Sequence, residues 1–453
     1  MNCRVGLLLF FALSLTPLAQ THRVIQITEK DAINPSEVSV AINPKNPNNI
    51  IGVSLQYGKP GQARVSNARY VTSDGGKTWT TMVAPNERTL PQGDDSIAFS
   101  SEGVAYHCYM SFDGIRVKRP QRAFSGIWVS ASRDGGNGWT APVPVIDHVN
   151  SVTPFEDKPY IVTDNVFGSP YKNNLYLAWT RFDVYGSKDP QHRSHIYFSS
   201  SSDDGKTFAA PFEVADTTGG CEDDDNTMEG AIAAAGVKGE VYLVWAGPKG
   251  LYFDKSLDGG VTFGKDKIIA AMPGGWDIDI PGISRANGMP VTKVDNSNGP
   301  HRGTIYVNWV DARNGDHDVF VMASRDGGNT WSEAVRVNDD KLKNGKEQFF
   351  TWMAIDQVDG SINIVFYDRR DLDGTKTGVT LARSIDGGKT FVNHKLNVEP
   401  FECNKGVFFG DYSGIDAYGG RVVPIFTHFI NKRDLAVSVA IFDFKAGTQT
   451  VRP

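Results

Sequence analysis

The sequence predicts an all-β protein: a β-propeller of four-stranded blades, seven by the count of strand starts, closed into a ring by the N-terminal strand. Three observations carry this. An eight-residue pattern recurs six times, strand-like runs flank every copy, and the first strands of successive units start at seven alignable positions. Six blades with an accessory terminal strand pair is the alternative count.

The octets are TSDGGKTW (Thr72–Trp79), SRDGGNGW (Ser132–Trp139), SSDDGKTF (Ser201–Phe208), SLDGGVTF (Ser256–Phe263), SRDGGNTW (Ser324–Trp331) and SIDGGKTF (Ser384–Phe391). Their aspartates, Asp74, Asp134, Asp203, Asp258, Asp326 and Asp386, stand 60, 69, 55, 68 and 60 residues apart, a spacing too regular for chance. Each copy lies between two β-type runs, as a hairpin loop does. The carboxylate can accept the turn's own N–H groups, and glycine supplies a positive φ. The terminal Trp or Phe is then free to pack between strands. These octets are therefore expected to be scaffold.

Two more strand-like runs precede each octet, as in Asp95–Phe112 and Glu229–Ala246. Each unit thus has strands A, B, C and D, with the octet between C and D. The A strands start at Glu37, Asp95, Lys158, Glu229, Met289, Trp352 and Tyr412. The last unit has three strands and no octet. Arg23–Thr28 (RVIQIT) resembles the D strands and is expected to supply its fourth, leaving no open edge.

With 46 basic and 52 acidic residues, the chain has no basic stripe for nucleic acid. Arg4, the apolar run Val5–Leu15 and a cut near Ala19 fit a secretion signal at 1–19, followed by one domain over 20–453. The expected protein is secreted, extracellular or periplasmic, monomeric and without a membrane span. Cys108, Cys221 and Cys403 are too few and too scattered for a disulfide framework, although one pair could form.

The D–A and B–C connections share the face opposite the octets, and they vary where the octets do not. Function is expected there. One ring on that face holds the A-strand starts and the residues just before them, among them Glu37, Asp94, Asp95, Asp157-Lys158, Glu229 and Asp411-Tyr412. A second, at the B-strand exits, holds Arg181, Asp311, Asp368 and His428, with Arg313, Arg369 and Arg370 close behind. Carboxylates serve as acid or base, and guanidinium forks hold carboxylates or hydroxyls, which suits an anionic or polyhydroxylated sugar. Solvated channel lining and in-blade Arg–Asp pairs are the competing readings. Glu229, opening the apolar strand EGAIAAAG, is hardest to explain as packing. His428 reads as structural. The acidic run Glu222–Asp225 has oxygen ligands of the kind Ca²⁺ takes, but no metal-loop spacing, so a solvated loop and no required cofactor are expected.

The octets match the Asp-box, or BNR, repeat. Over nearly all of the mature chain the sequence resembles the sialidase superfamily of Asp-box propellers, and in particular a secreted bacterial sialidase-like group. The resemblance implies an exo-acting glycoside hydrolase that removes terminal sugars from glycans or polysaccharides. It implies a Tyr nucleophile assisted by a Glu, an Asp acid/base and three arginines holding the substrate carboxylate. Tyr412-Ser413-Gly414-Ile415 matches the Tyr motif, Glu229 stands in the Glu's place, and Asp94 or Asp95 substitutes for the acid/base. Ser36-Glu37-Val38-Ser39 stands where the family's first arginine motif opens the first blade, and Trp245-Ala246-Gly247 where its second arginine follows. The first blade's B–C loop, Gln56 to Gly61, lacks the usual Asp. A substrate clamp would then draw on Arg181, Arg313, Arg369 and Arg370, with Glu37 and Asp368 beside them. A polysaccharide lyase or neutral-sugar glycosidase using His428 or Tyr412, and a non-catalytic glycan- or protein-binding propeller, are the other functions considered.

Overall fold

The computed structural model describes residues 22–58, 65–84, 91–113 and 124–444, and every regular element among them is a strand. The expected signal at 1–19 and residues 59–61 of the first B–C loop lie outside them. Seven antiparallel sheets follow one another, each ordered A-B-C-D from the inside outward. Their A strands are Ile33–Ile42, Gln92–Phe99, Phe155–Thr163, Glu229–Ala235, Val291–Val294, Gln348–Ile355 and Gly414–Tyr418. The sixth blade carries one extra short strand, Phe401–Glu402, on its C strand Lys376–Ser384. The seventh closes as the sequence predicts: His22–Gln26 pairs antiparallel with Leu435–Asp443 as its outermost strand. That pairing removes the edge that a three-stranded blade would expose.

Each blade is sandwiched between two others, so both faces of its middle strands are buried. The fourth blade's B strand, VYLVWAG over Val241–Gly247, is buried at every residue but the last. The apolar cores accordingly lie between blades. One joins Val40, Ile50 and Tyr70 of the first to Ile425, Val439 and Ile441 of the seventh.

The octets tie these blades together. In the first, Asp74 Oδ1 accepts the amides of Lys77 at 2.8 Å and Thr78 at 3.0 Å, and Oδ2 accepts the Thr78 hydroxyl at 2.7 Å. Asp203, Asp258, Asp326 and Asp386 repeat the arrangement. Asp134 keeps the Gly138 amide at 2.8 Å, but Gly138 has no hydroxyl to offer. The second octet glycine is demanded twice over. Gly328 has a φ of 80°, and a Cβ there would lie 2.2 Å from Phe253 of the preceding blade. The octet aromatic reaches the same neighbour: Trp331 meets Phe253 edge-on, and Phe263 meets Phe198. Cys108, Cys221 and Cys403 are buried free thiols, so the optional pairing is not formed.

Candidate active site at the mouth of the channel

The A strands do not enter the sheets smoothly. In five blades the A–B register slips at the first residues: Ser36/Val38, Gly93/Ser96, Asp157/Tyr160, Glu229/Ile232 and Phe349/Trp352. The residue inside each slip is left-handed: Glu37 (φ 53°), Asp94 (φ 49°), Lys158 (φ 50°), Gly230 (φ 74°) and Phe350 (φ 48°). A β-bulge re-aims the side chains beside it. Left-handed backbone at a non-glycine residue costs about 1–3 kcal/mol, a strain that clusters at functional sites. The ring of bulges gathers charge at one end of the channel.

At its centre stands Lys158, almost sealed from solvent. Its ammonium lies 3.1 Å from Glu229 Oε1, 3.3 Å from Asp411 Oδ2 and 3.9 Å from Asp157 Oδ2. Arg285 binds Asp411 at 2.5 Å and Asp223 at 3.2 Å. Tyr185 donates to Asp223 at 2.6 Å. Tyr412 donates to Asp94 Oδ1 at 3.4 Å, and the Lys158 amide donates to Asp94 Oδ2 at 3.2 Å.

These contacts push the carboxyls apart in acidity. Burial raises Asp157 to about 8, reinforced by Asp94 and Asp223 against the pull of Lys158. Burial also holds Glu37 well above the ordinary range, with Asp94 and Asp411 adding to it. Glu229 is raised by burial despite Lys158. Asp223 is buried too, but Lys158 and Arg285 outweigh the desolvation and hold it down at about 2. Asp411 is lowered in the same way, by Arg285 first. Burial, then Asp94 and Glu37, raises the Tyr412 phenol well above its usual value. One site thus holds protonated and ionised carboxyl groups side by side.

Beside this network opens a cavity of about 270 Å³. Glu37, Asp94, Asp157 and Arg285 supply its charged lining; Leu55, Tyr57, Met110, Phe112, Phe155, Tyr185 and Phe408 are among its apolar and aromatic walls.

Of the residues singled out in the sequence, Glu37 and Asp94 line this cavity, while Glu229 and Tyr412 stand in the buried network beside it. Asp95 does not. It turns into its own blade, where Oδ1 lies 2.5 Å from His107 Nε2, and Arg69 donates to His107 Nδ1 at 2.9 Å. The bulge explains the divergence, since two consecutive residues oppose one partner and point differently.

The second ring is also absent from the pocket, because B-strand side chains one strand out find partners in their own blade or in connections packed against it. Arg181 binds Glu156 at 2.6 Å and lies over the Tyr197 ring. Arg313 binds Asp311 at 2.6 Å. Arg370 binds Asp368 at 2.5 Å, and Arg369 donates to Thr377 Oγ1 and to the Pro281 carbonyl. Asp368 also accepts from Thr380. His428 pairs with Ser438. The clamp expected of these arginines is not assembled at the pocket.

Glu229, implied by the resemblance as the partner of Tyr412, faces Lys158, while the carboxylate that meets the phenol is Asp94. The acidic run Glu222–Asp225 is not wholly solvated either, since Asp223 is a site residue. Sequence reasoning placed Asp157, Lys158 and Asp411 on the inner ring without giving them individual roles, and passed over Arg285. The last sits in a connection whose Trp276, Ile278, Ile280 and Ile283 are all buried. Apolar residues alternating through a long glycine-bearing loop were the available signal that it folds inward.

No model of a known family matches the chain, and no curated protein matches its sequence. Among solved structures, a protein of unknown function from Dyadobacter fermentans DSM 18053 superposes with a TM-score of 0.52 at 12% identity, over 94% of this chain and 99% of that one. The α-L-arabinofuranosidase arb93a from Fusarium graminearum gives 0.49 at 14% identity, over 80% of this chain and 97% of its own. The Hadza microbial sialidase Hz136 gives 0.48 at 14%, over 80% and 66%. What the first of these shows is a shared fold.

Proposed function

We propose that the chain is a glycoside hydrolase that releases a sugar from the end of a glycan, with the cavity beside Asp94 and Asp157 holding the departing ring. One observation carries this reading: Asp157 and Asp94 line the same small pocket, and Asp157 keeps its proton to about pH 8. Glycoside hydrolysis needs a carboxylic acid that protonates the leaving oxygen and a second group acting as base or nucleophile. Asp157 suits the first part. Asp94 suits the second, with the Tyr412 phenol donating to it from behind the cavity wall. The aromatic walls suit the C–H faces of a sugar ring.

The test is product release by the full chain from a panel of neutral, amino and acidic glycosides, read by mass spectrometry. Asp94→Asn and Asp157→Asn are expected to abolish release while leaving the unfolding midpoint near that of the parent. Normal turnover by both would end the proposal.

A further inference from the structure

The charge inventory of the pocket bears on what it accepts. The two cations near it among the described residues are paired: Arg285 with Asp411 and Asp223, and Lys158 with Glu229, Asp411 and Asp157. Among the described residues, no cation at the pocket lacks a carboxylate partner. The carboxyls differ among themselves. Asp94 has an oxygen for Tyr412 and another for the Lys158 amide, and Asp157 faces Lys158.

Glu37 has no hydrogen-bond or salt-bridge partner among the described residues, though it is only 5% exposed and lines the pocket. Its backbone is left-handed at φ 53° and closely packed, since a Cβ on Gly410 would come within 2.8 Å of the Glu37 nitrogen. Local sterics favour glycine at such a position. A buried carboxyl without a hydrogen bond, on strained backbone, recovers only part of its desolvation cost, through the longer-range pull of Arg285 and Lys158.

We propose that Glu37 is the receptor for a positively charged amine on the substrate, so that the pocket selects an amino sugar bearing a free ammonium group over its neutral or acidic counterparts. This rests on the glycosidase reading for the word substrate, but the recognition can be measured without turnover. An ammonium gives Glu37 a charge-assisted hydrogen bond, whereas a hydroxyl gives a weaker one. Tyr57, Phe112 and Phe155 offer aromatic surface around the same space, which favours a cation further. A uronate or sialic acid carboxylate would instead meet Glu37 and Asp94 beside an Arg285 already held by two aspartates.

The experiment is calorimetric titration of the full chain at neutral pH with glucosamine, galactosamine and mannosamine, each against its parent hexose, and with glucuronate. At least one amine is expected to bind about ten-fold more tightly than its parent, with glucuronate weaker than either. Glu37→Gln, nearly isosteric, should bring that amine down to its parent's affinity. Equal binding of amine and parent, tighter binding of glucuronate, or no binding by any of the seven sugars overturns the inference, and the parent protein alone decides it if the variant misfolds. The two readings fail separately. Amine preference without release of any sugar from glycosides would sink the hydrolase reading only, and release without amine preference would sink this one only.

Discussion

Lys158 Nζ stands 3.1 Å from Glu229 Oε1 at the head of the channel, with the Lys side chain 2% and the Glu side chain 0% exposed. Two further carboxyl groups, those of Asp411 and Asp157, lean on the same ammonium. Removing that cation leaves several buried acids without compensation, and breaking a buried pair in this way costs about 3–5 kcal/mol. Lys158→Met is therefore expected to lose stability on that scale. Glu229→Gln should cost less, because Lys158 keeps Asp411 and Asp157. Urea unfolding of both variants checks the order, and a larger loss in Glu229→Gln would refute it.

Asp94 and Asp95 are neighbours with separate destinations, and substitution should tell them apart. Asp95 is held above the ordinary carboxylate range, by burial first and then Asp94. Burial and Arg69 hold His107 neutral, so its Nε2 carries the proton given to Asp95. Asp95→Asn keeps an acceptor for that proton and should lower stability by about 1–2 kcal/mol while sparing turnover. Asp94→Asn should cut kcat by about 10²–10⁴-fold with little change in unfolding. Kinetics and urea unfolding on the same two variants decide it; equal kinetic losses would count against the assignment.

The contrast shows where sequence reasoning reaches. The octets gave the blades because their chemistry is local: Asp258 binds atoms three and four residues on, so the pattern and the structure coincide. Ring closure was legible because Arg23–Thr28 repeats the outer-strand pattern. The candidate site was legible only in part. Glu37, Asp94, Glu229 and Tyr412 open A strands, which the repeat aligns. The bulges that turn Asp94 inward and Asp95 away depend on single left-handed residues that carry no glycine signature. Arg285 meets Asp411 across 126 residues, a pairing no local pattern announces.

Asp157 gives the activity a pH signature. Its proton is held to about 8, so a reaction that uses it as the acid should lose kcat/KM as pH rises through that value. In stability the sign is the same. A carboxyl whose folded pKa is raised favours the folded state most at pH below its unfolded value, near 4, and that contribution fades as pH climbs to about 8. Asp157→Asn should flatten the alkaline loss of stability while abolishing turnover. A pH–rate profile with no alkaline limb below pH 10 would remove Asp157 from the mechanism.

The second octet offers a gain rather than a loss. Gly138 occupies the place where all five other copies have a threonine that donates to the octet carboxylate at 2.6–2.7 Å, as Thr330 does to Asp326. Its backbone is not left-handed, so a side chain is tolerated there. The nearest atom to a new Cβ is Asp134 Oδ2, at 2.8 Å, the movable end of the very group the hydroxyl would bind. Gly138→Thr should therefore add one charge-assisted hydrogen bond and remove freedom from the unfolded chain, together worth about 1 kcal/mol. Asp134 is already held below the usual carboxylate range, chiefly by the Gly138 amide. The hydrogen-bond part should be present above the unfolded carboxylate pKa of about 4 and fade as acid protonates Asp134, leaving the chain-entropy part. Thermal unfolding at pH 7 and at pH 3 measures both parts, and a loss of stability at pH 7 would show that the missing threonine is a steric necessity of this blade.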